Sequence, residues 1–114
     1  MFDDVTSSAL RVAASGLALR QRVIANNIAN IETPGFRAGK VRFEQELGAA
    51  VAGGQPAATR PTVAESMEPT RLNGNNVNLD QETLSNLDTG LRYQMVLRAL
   101  DSKFSQLRDV IRGS

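Results

Sequence analysis

Two long periodic stretches bracket a middle zone with almost no period. In the first, Leu10, Leu17, Ile24 and Ile31 recur at every seventh position, and Val5, Val12 and Leu19 make a second ladder flanked by Ala9, Gly16 and Val23. At about 100° per residue these positions cover roughly half of a helix surface, while Arg11, Ser15, Ala18 and Arg22 occupy the other half. A face that broad suits two neighbouring elements. Pro34 disfavours helical geometry at Thr33 and Gly35 supplies a turn, so the spacing predicts a helix over 5–32.

The last stretch opens on Asn78-Leu79-Asp80-Gln81-Glu82. Asn78 or Asp80 can accept from free amides, and the acidic first turn suits the positive end of a helix dipole. The spacing predicts a helix over 79–112 with two seams. Leu84, Leu87, Leu91 and Met95 form one; Tyr93, Leu97, Leu100, Phe104, Leu107 and Ile111 form the other, at 4-3-4-3-4 spacing. The seams point to nearly opposite sides, with Gly90 near the handover, and the second has the 3.5-residue period of coiled-coil packing. Two helices cannot bury seams on opposite faces by packing on each other alone. The isolated chain is therefore expected to be marginal, with an assembly as its stable state.

All four prolines and six of the nine glycines fall between residues 34 and 74. Within this zone Val41 to Leu47 alternates weakly, as a short strand or one helical turn would. Gly48 to Thr70 is rich in Ala, Gly, Pro and Thr and poor in large apolar side chains. Such a segment buries too little to offset its ordering entropy and reads as a flexible loop, or as one ordered only by neighbours. The expected fold is mainly α: a single unit over 1–114 in which the two long helices pair as a coiled-coil hairpin around an irregular Gly/Pro/Ala-rich segment over 33–77.

Composition narrows the function. Thirteen Lys and Arg against twelve Asp and Glu leave a formal charge of +1, unlike a nucleic-acid binder. Aromatic residues make up 4% of the chain, and Cys and His are absent, which removes thiolate and imidazole chemistry and Cys/His metal sites. A structural or binding role is favoured over an enzyme, with no cofactor and no small-molecule substrate. The paired carboxylates Asp3/Asp4, Glu44/Glu46 and Asp80/Glu82, at adjacent and alternate spacings, read as solvated faces or dipole partners. The longest small-apolar stretch, Leu47 to Gly54, falls far short of the ~20 residues of a membrane span. The opening Met1-Phe2-Asp3-Asp4 is acidic where a signal peptide is basic, so any export is expected to proceed without a cleaved signal.

The run Ala25-Asn26-Asn27-Ile28-Ala29-Asn30-Ile31-Glu32-Thr33-Pro34-Gly35-Phe36 stands apart. Asn26, Asn27 and Asn30 fall on the apolar half of the helix. They fit either a capped, fraying helix end or amides buried and hydrogen-bonded in a packed interface, where they would fix register. This run resembles the N-terminal signature of the bacterial flagellar axial proteins, the rod, hook and hook-associated subunits. A second resemblance, in Asn73-Gly74-Asn75-Asn76-Val77-Asn78-Leu79-Asp80-Gln81-Glu82 and in residues 91–111, is to the proximal rod proteins of the flagellar basal body. Leu91-Arg92-Tyr93-Gln94 stands where FlgC-like subunits more often carry Ala-x-Arg-x-Tyr.

The resemblance implies a structural subunit that polymerises through its terminal helices into a hollow shaft carrying torque from membrane ring to hook. The implied partners are further copies of itself, FlgC-like and neighbouring rod subunits, a FliE-like adaptor, the membrane-ring protein and the flagellar type III export apparatus. The implied location is the rod of the basal body, in the periplasmic space. Expected assembly contacts are Leu10, Leu17, Leu19 and Ile24, the amides Asn26, Asn27 and Asn30, and Leu91, Tyr93, Leu97, Leu100, Phe104 and Leu107. Phe43 and Leu47, an aromatic and an aliphatic residue four apart, resemble the export signal of rod and hook subunits; a local packing pair has the same spacing. The alternative class is a soluble helical-hairpin adaptor or export chaperone, which would be a well-folded small oligomer by itself.

Overall fold

In the computed structural model, which describes residues 4–113, the first helix begins where Asp4 can cap it. The Asp4 carboxylate accepts from the Ser7 amide at 2.7 Å, satisfying one of the free N–H groups of a helix start, and helix α1 runs Val5–Ala29. The acidic opening before Asp4 lies outside the described residues. Helix α1 stops three residues short of the expected end, because Asn30 turns its polar groups back on the last turn. Its amide is shared between the Asn26 and Asn27 carbonyls, its side-chain amide donates to Asn26 O at 2.8 Å, and the Thr33 hydroxyl donates to its Oδ1.

Helix α3 spans Leu79–Gly113. The Asn78 Oδ1 accepts from the Gln81 amide, so of the two candidate caps it is Asn78 that works. The helix runs back antiparallel along α1, and Lys103 Nζ donates to Asp4 Oδ2 at 3.0 Å near the open end of the hairpin. The molecule is a rod of 66 × 25 × 14 Å. Among the described residues no helix is long and apolar enough to cross a membrane.

The Asp4 carboxyl is held down at about 2, below its ordinary 3.8, first by the Ser7 backbone amide and then by Lys103. Because the folded value is depressed, the cap and the bridge are at full strength above about pH 4 and fade as pH falls towards 2. A carboxyl-carbon NMR titration is expected to place the Asp4 midpoint near 2 and to move it upward in Lys103→Ala.

The middle zone is more structured than a loop. Strand β1, Gly39–Arg42, pairs antiparallel with β2, Thr62–Glu65, with Gly39 opposite Glu65 and Arg42 opposite Thr62. Between them lie helix α2, Glu44–Ala52, and a 3-10 turn, Pro56–Ala58. The weak alternation over 41–47 therefore divides, with a strand up to Arg42 and a helix from Glu44. Strand β2 is exposed along its whole length, so its own apolar surface does not hold it in place. It is held by the ladder to β1 and by the Ser66 amide donating to Ala38 O at 2.8 Å. Neighbours supply the order.

Leu17, Val41 and Phe43 are the buried centre, surrounded by Ala13, Leu19, Val23, Leu47, Tyr93 and Val96. This small core sits where α1 meets the β1–α2 joint and α3 closes over it. Gly16 allows the closeness: a Cβ there would stand 2.6 Å from two ring carbons of Phe43.

Candidate assembly interface

The two sequence runs that stand out are docked on each other. Residues 30–38, after α1, and residues 71–76, before α3, form the closed end of the hairpin. Gly35 and Gly74 both have positive φ, 76° and 83°, and their backbones touch: a Cβ on Gly74 would meet Gly35 Cα at 3.2 Å. The Gly35 amide donates to Asn73 O at 2.8 Å, and the Asn76 amide donates to Phe36 O at 3.3 Å. Asn75, fully buried, donates its side-chain amide to both Asn30 O and Thr33 O at 2.9 Å. Arg71 donates to Ile31 O. Carbonyls at and after the end of α1, two of which also accept backbone amides, are thus served by side chains forty or more residues away. Asn76 closes the next layer, accepting from Ala38 N at 2.7 Å and donating to Ser66 O and Glu68 O.

The three amides of the α1 run have different fates. Asn27 is 1% exposed; its Oδ1 accepts from Gly39 N at 2.9 Å and its Nδ2 donates to Gly39 O at 3.0 Å. That reciprocal pair ties α1 to the first residue of β1, inside one subunit. Asn30 is the helix cap. Asn26 is exposed, its Oδ1 3.3 Å from the Asn30 side-chain amide. Asn30 thus fits the capped helix end, whereas Asn27 is buried and hydrogen-bonded within the subunit.

The remaining expected contacts divide by burial. Leu17 and Ile24 are buried within the subunit; Leu10, Leu19, Tyr93, Leu100 and Leu107 are half-buried; Leu91, Leu97 and Phe104 are exposed. Helix α3 turns the face carrying Glu82, Thr89, Tyr93, Val96 and Leu100 inward. Its first seam, Leu84, Leu87, Leu91 and Met95, points outward and is 61–68% exposed. Phe43 is 3% exposed and Leu47 half-buried against it, so in the folded chain this pair is a packing pair. Among the described residues no cluster of three or more acidic, His or Cys side chains could hold a metal ion.

The family described as flagella basal body rod protein matches residues 10–37, most of α1 and the turn after it. The chain is 31% identical to flagellar basal body rod protein FlgB of Bacillus subtilis, over 91% of each chain. It is 31% identical to FlgB of Escherichia coli, over 96% of this chain and 97% of that one. FlgB of Borrelia hermsii is 60% identical over a shorter stretch, 31% of this chain and 26% of its own. The chain belongs to the FlgB family of flagellar basal body rod proteins.

In this FlgB family member several structural residues escaped the sequence reading. Arg20 donates to Val41 O at 2.8 Å and to both carboxylate oxygens of Glu44, and its guanidinium lies 5.1 Å from the centre of the Phe43 ring. It clamps the β1–α2 joint onto α1 from what the heptad pattern marks as an ordinary polar position. Glu82 is 3% exposed, 4.0 Å from Lys40 of β1, although its place in an acidic first turn suggested only a dipole partner. Asn75 and Asn76 lie in a run that the resemblance had flagged, yet nothing local distinguishes a buried Asn from a turn Asn. The signal was the density of Asn itself, four between residues 73 and 78.

Proposed function

We propose that this structural subunit of the proximal rod assembles through the outward seam of α3, with the hydrogen-bonded closed end keeping the hairpin stiff under torque. One observation carries the reading. Leu84, Leu87, Leu91 and Met95 lie in line on the outer face of α3, where a folded monomer has no use for them. A hairpin adaptor or chaperone would bury such a stripe in a closed small oligomer. A subunit that adds to a growing shaft must keep it open until its neighbour arrives. The neighbours on this reading are further copies of the chain, FlgC-like and other rod subunits, and, at the base, a FliE-like adaptor and the membrane-ring protein. The subunit reaches the periplasmic space through the flagellar type III export apparatus without signal cleavage.

Phe43 and Leu47 fit the export step as a motif legible only in the unfolded chain, because folding buries the ring. A strain lacking this chain is expected to swim and to build complete rods again when the wild-type chain is supplied. The same strain supplied with Phe43→Ala/Leu47→Ala is expected to show neither, with the variant retained in the cytoplasm. Complete rods in the uncomplemented strain would sink the rod reading. Normal secretion of the double variant would leave that reading in place and return the pair to packing alone.

A further inference from the structure

Of the eight asparagines in the chain, Asn73 alone is followed by glycine; the others precede Asn, Ile, Val or Leu, whose side chains crowd the next amide nitrogen. Gly74 has no side chain to do so, and Asn73 is exposed. An asparagine so placed is chemically fragile, because the following amide nitrogen can attack its side-chain carbonyl. The closed end engages each group that the attack needs. Gly74 N donates to Arg71 O at 2.9 Å, in a turn that the Arg71 amide closes onto Asn75 O at 2.7 Å. Gly74 is backed by Gly35, whose amide holds Asn73 O. Asn73 Oδ1 accepts from the Asn75 amide at 3.1 Å. That last bond polarises the carbon under attack, so what withholds the reaction is the engaged nitrogen.

We propose that Asn73–Gly74 is a deamidation site that the closed end holds shut in the folded chain and that unfolding opens. In the step, Gly74 N gives up its proton to solvent and its electron pair forms a bond to Asn73 Cγ. The Cγ–Nδ2 bond breaks, and Nδ2 leaves as ammonia with a proton taken from water. The five-membered imide then takes up one water. Opening at Cγ gives aspartate, and opening at the main-chain carbonyl gives isoaspartate. Water is the only co-reactant, and nothing is oxidised or reduced. While Gly74 N–H is bonded to Arg71 O its proton is retained and its peptide plane is fixed, so ring closure waits for the turn to open.

The two products act differently on the fold. Aspartate keeps an acceptor for the Asn75 amide and a main-chain carbonyl for Gly35. Isoaspartate routes the main chain through Cβ and Cγ, which adds a carbon between residues 73 and 74 and leaves the carbonyl that Gly35 uses on a side branch. A loop whose two glycines already touch cannot absorb that atom in its present register. A chain held unfolded therefore loses, with time, the ability to close this end, and folding stops the loss.

The full chain and a peptide of residues 68–78, the unstructured reference, are incubated in one mildly alkaline buffer. Mass spectrometry locates the conversion of amide to acid on the tryptic fragment that begins at Leu72, and hydrogen exchange of the Gly74 amide is followed in the same samples. The peptide is expected to deamidate first at Asn73. The full chain is expected to do so at least about tenfold more slowly, by the factor that also protects the Gly74 amide, since both reactions wait for one opening. Asn75→Ala removes the bonds to Asn30 O and Thr33 O without altering the reacting pair, and is expected to raise both rates together. Should that variant not fold, stepwise guanidinium chloride on the wild type is expected to do the same. Equal deamidation in chain and peptide, deamidation that starts elsewhere in the peptide, an unprotected Gly74 amide, or two rates that diverge on loosening would each overturn the proposal.

Discussion

Asn27→Asp is expected to destabilise the subunit by about 3 kcal/mol or more at neutral pH, and to lose that penalty in acid. The wild-type amide exchanges two hydrogen bonds with Gly39, one donated and one accepted, in a site that is 1% exposed. A carboxylate keeps the acceptor and loses the donor, leaving Gly39 O without a partner and a charge without solvent. The protonated carboxyl, by contrast, again offers one donor and one acceptor in the same plane. Burial without a counter-charge raises the carboxyl's pKa in the folded state above its unfolded value near 3.9. The sign follows: variant and wild type differ least below about pH 4, and the gap widens as pH rises to the folded-state value. Thermal melts of both proteins across pH 3–8 measure it. A gap that does not change with pH would mean that Asn27 is solvated.

Gly16→Val is expected to cost about 3 kcal/mol or more, and Gly16→Ala a smaller net amount of the same sign. Glycine inside a helix is ordinarily a weakness that alanine repairs by about 1 kcal/mol. Here the added Cβ would stand 2.6 Å from two carbons of a ring that is 3% exposed. The ring cannot swing away freely, because Arg20 lies over it while holding Val41 O and Glu44. Overpacking of this kind costs about 1–3 kcal/mol, and a branched side chain exceeds alanine. Phe43→Leu should recover most of the loss when combined with Gly16→Ala, giving a favourable coupling in a double-mutant cycle. Denaturant unfolding of the four proteins checks it. A Gly16→Ala protein more stable than wild type would show that the joint yields.

The long helices were legible because helix formation is local: a 3.6-residue period and a capping Asn both act within a few positions of one another. Even the incompatibility of the two α3 seams could be read from a wheel, since it needs only the spacing of Leu84, Leu87, Leu91 and Met95 against that of Tyr93, Leu100 and Leu107. Which seam faces inward could not be read. By apolarity alone the leucine-rich first seam is the better candidate for α1. The structure instead turns Glu82 and Thr89 inward at that level.

The middle zone was decided by pairings at long sequence separation. Arg20 reaches residues 41 to 44, Asn27 reaches Gly39, and Asn75 reaches back to Asn30 and Thr33. None of these has a period, and each uses a polar side chain to supply what apolar burial normally would. By itself the sequence determined the two helices, their near-boundaries, the family signature and the presence of more apolar surface than a hairpin can hide. The tertiary structure alone decided which amide is buried, that 39–65 forms a hairpin over α1, and which seam stays open. The reason is physical. Local periodicity encodes where a helix forms, whereas a buried polar group is satisfied only by the particular partner that folding brings to it.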